Sequence, residues 1–367
     1  MKVIDLKSKK FLKRTNRKIE RVRYLMRKLN IAVIGNGKGA NRYHIPFILN
    51  RPDTLNLKAI YARHLSTKGP WEKIKDVRYT DDLDSILNDP EIDLIDISTP
   101  VSSHYSLAKK ALEAGKNVLV DKPFVQTLDQ ARELFNLAQE KGLLLACYQN
   151  RRYDSDFLTA KKVIEEGKLG DLLEIEMSYD YDRPEVSDQT YEFSKENSFL
   201  YGHGSHTFDQ VVSMFGKPDR VVYDVRQLNG KGRMNDYFDV DLFYGPLKVS
   251  VKSSYYRVNK RPRFILTGRN GSFVKQTEDR QEEFLKRFEM PNTPGFGIDR
   301  EEDYGVLMLR NEKPTPVVSE VGDYSRVYDD FYNAIILGQP LKIHPEETLA
   351  VMEILENGIA PLVEAES

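Results

Sequence analysis

The chain has a single cysteine, Cys147, among 367 residues. That excludes an internal disulfide framework and a cysteine-based zinc site. It fits a reducing cytoplasm, the expected location. No apolar run approaches the ~18–20 residues needed to span a bilayer. The body of the chain has no basic stripe interleaved with aromatics, which argues against a nucleic-acid partner. It shows no internal repeat and no low-complexity tract. What is there is 40% hydrophobic and 10% aromatic, the composition of a globular protein. The length suits two domains.

The formal net charge of -1 hides an asymmetry. Residues 1–28 hold 12 Lys/Arg and 2 acidic residues, and the rest hold 43 and 54. A basic tail suits an anionic membrane, a nucleic acid or an import signal. It lacks the apolar centre of a secretory signal. The expectation is an upstream extension with little role, because Met26 opens MRKLNIAVIG, a natural start for a domain.

From 29 to 147, short apolar runs alternate with helical patterns. Strands are expected at 30–35, 57–62, 94–99, 117–121 and 143–148. Helices are expected near 41–50 and 82–88 and at 102–115 and 127–142. The last opens on Thr127 with Gln130 three residues on, a capping box, and closes on Gly142. Such alternation predicts βαβ units and a doubly wound parallel sheet. After about 150 the pattern changes. A helix over 154–170 precedes period-two strands: Leu247, Val249 and Val251 alternate with Lys248, Ser250 and Lys252. Asn270-Gly271 signals a hairpin. A helix over 345–364 closes the chain. The second domain is expected to be α+β, on a large, mostly antiparallel sheet with one open face.

The first strand runs into GNGKGA, residues 35–40. Gly35, Gly37 and Ala40 stand in the G-x-G-x-x-A positions, with Asn36 and Lys38 between them. Gly35 allows the tight turn, Gly37 lets backbone approach a pyrophosphate, and Ala40 lets helix pack on strand. The loop follows a strand and opens a helix, the context a dinucleotide site requires. The alternative is an ordinary glycine-rich turn. An acid normally ends the second strand of an NAD site to hold the ribose 2′-OH. It is missing here. Arg63 and His64 stand in its place, with Lys68 downstream. Cations suit a 2′-phosphate, so the expected cofactor is NADP(H) rather than NAD(H), unless Arg63 is a plain surface arginine.

VLVDKPF, residues 118–124, ends a buried strand on Asp121, Lys122 and Pro123. Charge there costs desolvation energy unless it is paired or used. Ligands of parallel sheets bind beyond the carboxyl ends of strands. Burial near an oxidised nicotinamide would lower the lysine pKa, which suits proton transfer at neutral pH. Taken alone, a strand-end lysine is more often structural. A second cluster, YGHGSHTFD at 201–209, opens a helix running to about Phe215. His206, Asp209 and Gln210 lie at one helical end. Histidine handles protons near pH 7. The other readings are a capped helix with hydrogen-bonded histidines or a metal site. His-x-x-His without a third strong ligand is poor support for a metal, and none is expected.

Four motifs in order carry a resemblance: AVIGNGKGA, ISTPVSSHYSLAKKALEAGKNVLVDKPF, YQNRRYD and GSHTFDQVVSMFGKPD. With them the chain resembles the Gfo/Idh/MocA family of nicotinamide-dependent oxidoreductases over about residues 28–365. The resemblance implies that Lys122 is the catalytic lysine and that its bond to Pro123 is cis. Asp121 stands where the family usually has glutamate and is expected to contact the cofactor or partner the lysine. Ser98, Thr99, Pro100 and His104 would line the cofactor, with Arg152 near the active-site entrance. His206 would join Lys122 in catalysis. Tyr201, His206 and Asp209 are the expected substrate contacts beside Lys122. One departure is Gly202, where sugar and inositol members often carry aspartate. It leaves Lys122 and His206 without that orienting carboxylate, with Tyr201 and His203 as candidate substitutes.

These readings divide the chain into an extension (1–27), a Rossmann domain (28–148) and a substrate-binding and oligomerisation domain (149–367). The expected function is hydride transfer between NADP(H) and a carbonyl or hydroxyl carbon of a small polar substrate. The competing class is a cofactor-binding sensor without turnover. A small-molecule substrate and a homo-oligomer through the second sheet are expected, with no membrane partner. Tyr179, Tyr181, Arg183, Tyr255 and Tyr256 are further candidates for the substrate pocket, though tyrosines on sheets more often pack.

Overall fold

A computed structural model describes residues 27–366 apart from 65–72, 189, 191 and 197. Residues 1–26 of the basic segment and Lys68 lie outside the described residues. Six parallel strands form the first sheet: β1 (Leu29–Ile34), β2 (Leu55–Tyr61), β3 (Arg78–Thr80), β4 (Leu94–Ile97), β5 (Asn117–Val120) and β6 (Leu145–Cys147). Their order is β3-β2-β1-β4-β5-β6. It reverses between β1 and β4, the switch point at which doubly wound sheets bind ligands. The short β3 has no apolar run, so periodicity does not announce it.

Period two sends alternate residues of this sheet to opposite faces, and both are covered. Ala32, Ile34, Ile95, Ile97, Val118 and Val120 pack on one side with helices His104–Glu113 and Leu128–Lys141. Leu29, Ile31, Val33, Leu94 and Leu119 pack on the other. There the cover is Ile45–Leu49 together with Arg326–Leu337, a helix from the far end of the chain. The first sheet is therefore completed by residues beyond 149. Helix Leu128–Lys141 is capped as read: the Thr127 hydroxyl accepts from the Gln130 backbone N–H, and Gly142 closes it in the left-handed region at φ 64°. The Gln130 side chain, however, accepts from Gln126 N, one residue before the cap.

The second sheet holds β7 (Leu172–Ser178), β8 (Arg220–Arg226), β9 (Tyr237–Tyr244), β10 (Leu247–Ser254), β11 (Phe264–Gly268), β12 (Gly271–Lys275), β13 (Gly305–Leu309) and β14 (Thr315–Val317). Its order is β14-β13-β12-β11-β7-β10-β9-β8. Only the β7–β10 pair is parallel. Buried Val249 and Val251 of β10 and Ile175 and Met177 of β7 face the core. On β7, β9 and β10 the other face carries ion pairs such as Lys252–Glu176 and Lys248–Asp241.

Candidate active site

The glycine loop is shaped by close backbone approach. Gly35 has φ 129°, and a Cβ there would lie 2.0 Å from the Ser98 carbonyl oxygen at the end of β4. Gly37 differs: nothing lies within 4 Å of its would-be Cβ, so its backbone faces open space. Ala40 is fully buried, as close helix packing requires. The helix opens with a wide turn, Ala40–His44, in which Ile45 N bonds back to Ala40 O. Pro46 follows and has no N–H to give a carbonyl one turn back, which favours the wider turn before it. A cavity of about 280 Å³ opens beside the loop, lined by Gly35, Gly37, Arg63, Ser98, Thr99 and Pro100 among others. Asn36 lines it as well, whereas Lys38 and His64 are exposed and do not. The open cradle at Gly37, with a cation and hydroxyls around it, fits a dinucleotide phosphate.

His104 is placed differently from Ser98 and Thr99. It is buried, with Nε2 2.7 Å from Thr99 O and Nδ1 3.0 Å from Pro123 O. It braces the turns after β4 and β5 rather than lining the cavity.

A second cavity, of about 390 Å³, lies beyond the end of β5 and includes Asp121, Lys122, His203 and His206 in its lining. The Lys122–Pro123 peptide is cis. Lys122 Nζ donates to the Gly202 carbonyl at 3.2 Å. The position that lacks a carboxylate thus holds the lysine with its backbone instead. Burial lowers the Lys122 pKa; Asp121 pulls it up and Arg151 pushes it down. Asp121 is held down to about 2, because His44 and Lys122 outweigh the effect of its own burial.

Both histidines of the 201–209 stretch face this cavity as neutral rings. Burial, reinforced by Lys122 and Arg151, lowers His206 well below the usual imidazole range and His203 to about 3. His206 carries a buried Nδ1 with no partner among the described residues. The His203 ring nitrogens lie 3.3 Å from the Tyr181 hydroxyl and 3.3 Å from the Tyr255 hydroxyl. One nitrogen must donate and the other accept, so the Tyr-His-Tyr chain has a direction.

Three expected contacts lie elsewhere. Arg152 is buried, bonded to both Asp209 oxygens at 2.7 Å and to Glu347 at 2.9 Å. Asp209 is consumed by that pair. Tyr201 is fully buried and lines neither cavity. The adjacent Arg151 faces the cavity instead, paired with Asp154 and Glu282.

Sequence reasoning also passed over His44. It is fully buried, 3.1 Å from Asp96 through Nδ1 and 3.5 Å from Asp121 through Nε2, and stacked on Tyr148. The Tyr328 hydroxyl donates to Asp96 at 2.7 Å. Burial would lower its pKa, but the two carboxylates prevail and raise it to about 10. A row of alternating charge therefore runs Asp96, His44, Asp121, Lys122. The lone signal in sequence was a histidine one turn beyond the glycine loop.

A family model of oxidoreductases with an NAD-binding Rossmann fold matches residues 29–149, and the model of their C-terminal alpha/beta domain matches 161–360. The chain belongs to the Gfo/Idh/MocA oxidoreductase family. Like other Gfo/Idh/MocA proteins it is an NAD(P)-dependent oxidoreductase, with a Rossmann domain and a second α/β domain. Escherichia coli YhhX, an uncharacterised oxidoreductase, is 46% identical over 334 residues, covering 90% of this chain and 96% of YhhX. The YhhX crystal structure matches with a TM-score of 0.86, again covering 90% and 96%. An oxidoreductase structure from Bacillus cereus gives 0.87 at 44% identity, covering 91% and 96%. IolW of Bacillus subtilis, a scyllo-inositol 2-dehydrogenase (NADP(+)), is 33% identical, covering 89% of this chain and 92% of IolW.

Proposed function

We propose that this protein is an NADP(H)-dependent oxidoreductase that interconverts a hydroxyl and a carbonyl carbon on a small polar substrate, a sugar derivative or diol, with Lys122 as general acid/base. The observation that carries the reading is Lys122 itself. It is a lysine with a lowered pKa, anchored to the Gly202 carbonyl and facing a cavity beside two neutral histidines. The cofactor, when bound, accepts or supplies the hydride. In the oxidative direction Lys122 takes the hydroxyl proton as the hydride leaves carbon. In the reductive direction it returns that proton to the carbonyl oxygen. His206 lines the same cavity and orients that oxygen. Gly35, Gly37, Ser98, Thr99 and Arg63 would hold the dinucleotide. Arg63 stands where an acid would repel a 2′-phosphate, and the name of the relative IolW specifies NADP(+). We also read the open face of the second sheet as the contact between copies of the chain.

Two measurements test this reading. In fluorescence titrations, NADPH should bind at least tenfold more tightly than NADH. Lys122→Ala should keep that binding and lose roughly 10²–10⁴ in turnover on the compound the wild type uses. Near-normal turnover in the variant would refute the role of Lys122. Nucleotide binding with no turnover of sugars, diols or aldehydes would favour the sensor.

A further inference from the structure

The cations around the Lys122 cavity are unevenly paired. Arg42, Lys122, Arg151, Arg183 and Lys286 line it, against two carboxylates, Asp121 and Glu282. Asp121 already lies between His44 and Lys122. Glu282 pairs with Arg151 and lies 3.5 Å from Lys286. That leaves Arg42 and Arg183 with no carboxylate partner among the described residues. Each has its guanidinium carbon over an aromatic ring instead. Arg42 lies 4.9 Å from the centre of Phe288, and Arg183 lies 5.1 Å from that of Tyr181. A guanidinium held over a ring by cation–π attraction keeps N–H groups that can form paired hydrogen bonds to an anion. The Arg42 Nε is, moreover, buried without a hydrogen-bond partner.

The second arginine also marks where the substrate pocket continues. A further cavity of about 590 Å³ adjoins this one, and Tyr181, Arg183, Glu282 and Lys286 line both. The other basic groups there are engaged: Lys260 with Glu278, Arg261 with Asp180, Arg263 with Asp156, Arg280 with Glu283, and Arg300 with Asp303. Among the basic groups that line it, Arg183 is the one with no carboxylate partner among the described residues, although the carboxylate of Asp182 lies in the same lining. A cavity with surplus fixed positive charge favours an anion over a neutral molecule of the same shape.

We propose that the substrate of this site carries an anionic group, a carboxylate or a phosphate, held by the guanidiniums of Arg183 and Arg42 while its hydroxyl or carbonyl carbon lies at Lys122. This rests on the oxidoreductase reading above and narrows it to sugar acids or sugar phosphates. A neutral inositol would leave both guanidinium edges unused.

Calorimetric titration of the full chain, saturated with NADP⁺, tests the assignment with glucose, glucuronate and glucose 6-phosphate. Saturation keeps the nucleotide loop from taking up the added anion. At least one anion should bind tenfold or more tightly than glucose, and the two anions separate carboxylate from phosphate. Arg183→Ala should erase at least tenfold of that preference and leave glucose affinity within about twofold. Arg183→Lys should restore part of it, since a lysine keeps the charge but not the fork. Equal affinity for all three, no binding of either anion, or a preference intact in both Arg183→Ala and Arg42→Ala overturns the proposal. The two readings fail separately. An anion preference in a protein that moves no hydride sinks the oxidoreductase and leaves the site. Turnover of neutral polyols with no anion preference does the reverse.

Discussion

His44 illustrates what a single buried residue does to its neighbours. Asp121 raises the Lys122 pKa against the burial that lowers it. The His44 imidazolium shares the Asp121 carboxylate with Lys122 and helps hold it down to about 2. Folding holds the His44 proton up to about pH 10, whereas a free imidazole releases it near 6.5. Between those values the folded chain binds more protons than the unfolded one, so stability falls as pH rises. His44→Gln should destabilise the protein by on the order of 3 kcal/mol near neutral pH, the cost of stranding a buried charge. It should also flatten the loss of stability between pH 7 and 10. Urea denaturation at three pH values reads both. An unchanged alkaline decline in the variant would assign that decline to another group.

At the scale of elements, the two loop glycines separate folding from binding. Gly35 is required twice, by its φ of 129° and by the Ser98 carbonyl that a Cβ would strike. Gly35→Ala should cost about 1–3 kcal/mol or more of stability and abolish NADPH binding together with it. Gly37 meets neither constraint. Gly37→Ala should leave stability within about 0.5 kcal/mol, as for an open site. It should still weaken NADPH binding, because its Cβ would occupy the approach to the pyrophosphate. Thermal melts beside nucleotide titrations distinguish the two. Equal melting losses would mean that Gly37 is structural. The Asn270-Gly271 hairpin gives a related lesson. The turn forms between β11 and β12 as its dipeptide signals, yet Gly271 does not have positive φ. It is needed because a Cβ would lie 2.3 Å from Met308 O on the neighbouring β13.

At the scale of the whole molecule, Arg152 ties distant segments together. It joins the turn after β6 to helix Ser205–Phe215 through Asp209 and to the start of helix Pro345–Glu366 through Glu347. Arg152→Ala would leave Asp209 buried and unpaired, at a cost of roughly 3–5 kcal/mol. Arg152→Met with Asp209→Leu should recover part of it, since an apolar pair carries no stranded charge. A denaturant midpoint lowered in the single variant and partly restored in the double one is the expected pattern. A single variant as stable as wild type would show that the pair contributes nothing net. The same scale explains why the two sequence domains share their cores. Tyr324, Val327, Tyr328 and Phe331 pack with Leu29, Ile31 and Val33 of β1, so the first sheet is incomplete without residues near the far end of the chain.

Local chemistry is legible in the order of the residues. Strand and helix alternation, the glycine loop with its missing acid, the Asp-Lys-Pro strand end and the capped helix after Thr127 each depend on residues within one or two turns of one another. Periodicity, capping and backbone sterics act over that range, so the sequence by itself determined the parallel sheet and the strand ends at which the two cavities open. Tertiary structure decided the rest. Whether Arg151 or Arg152 faces the cavity depends on where Asp209 and Glu347 arrive. That Gly202 offers a carbonyl to Lys122 follows from the wide turn at Leu200–Gly204. That His44 is charged follows from Asp96 and Asp121, 52 residues and more along the chain. Charge pairing and desolvation depend on distance through space, and the order of residues along the chain does not specify that distance.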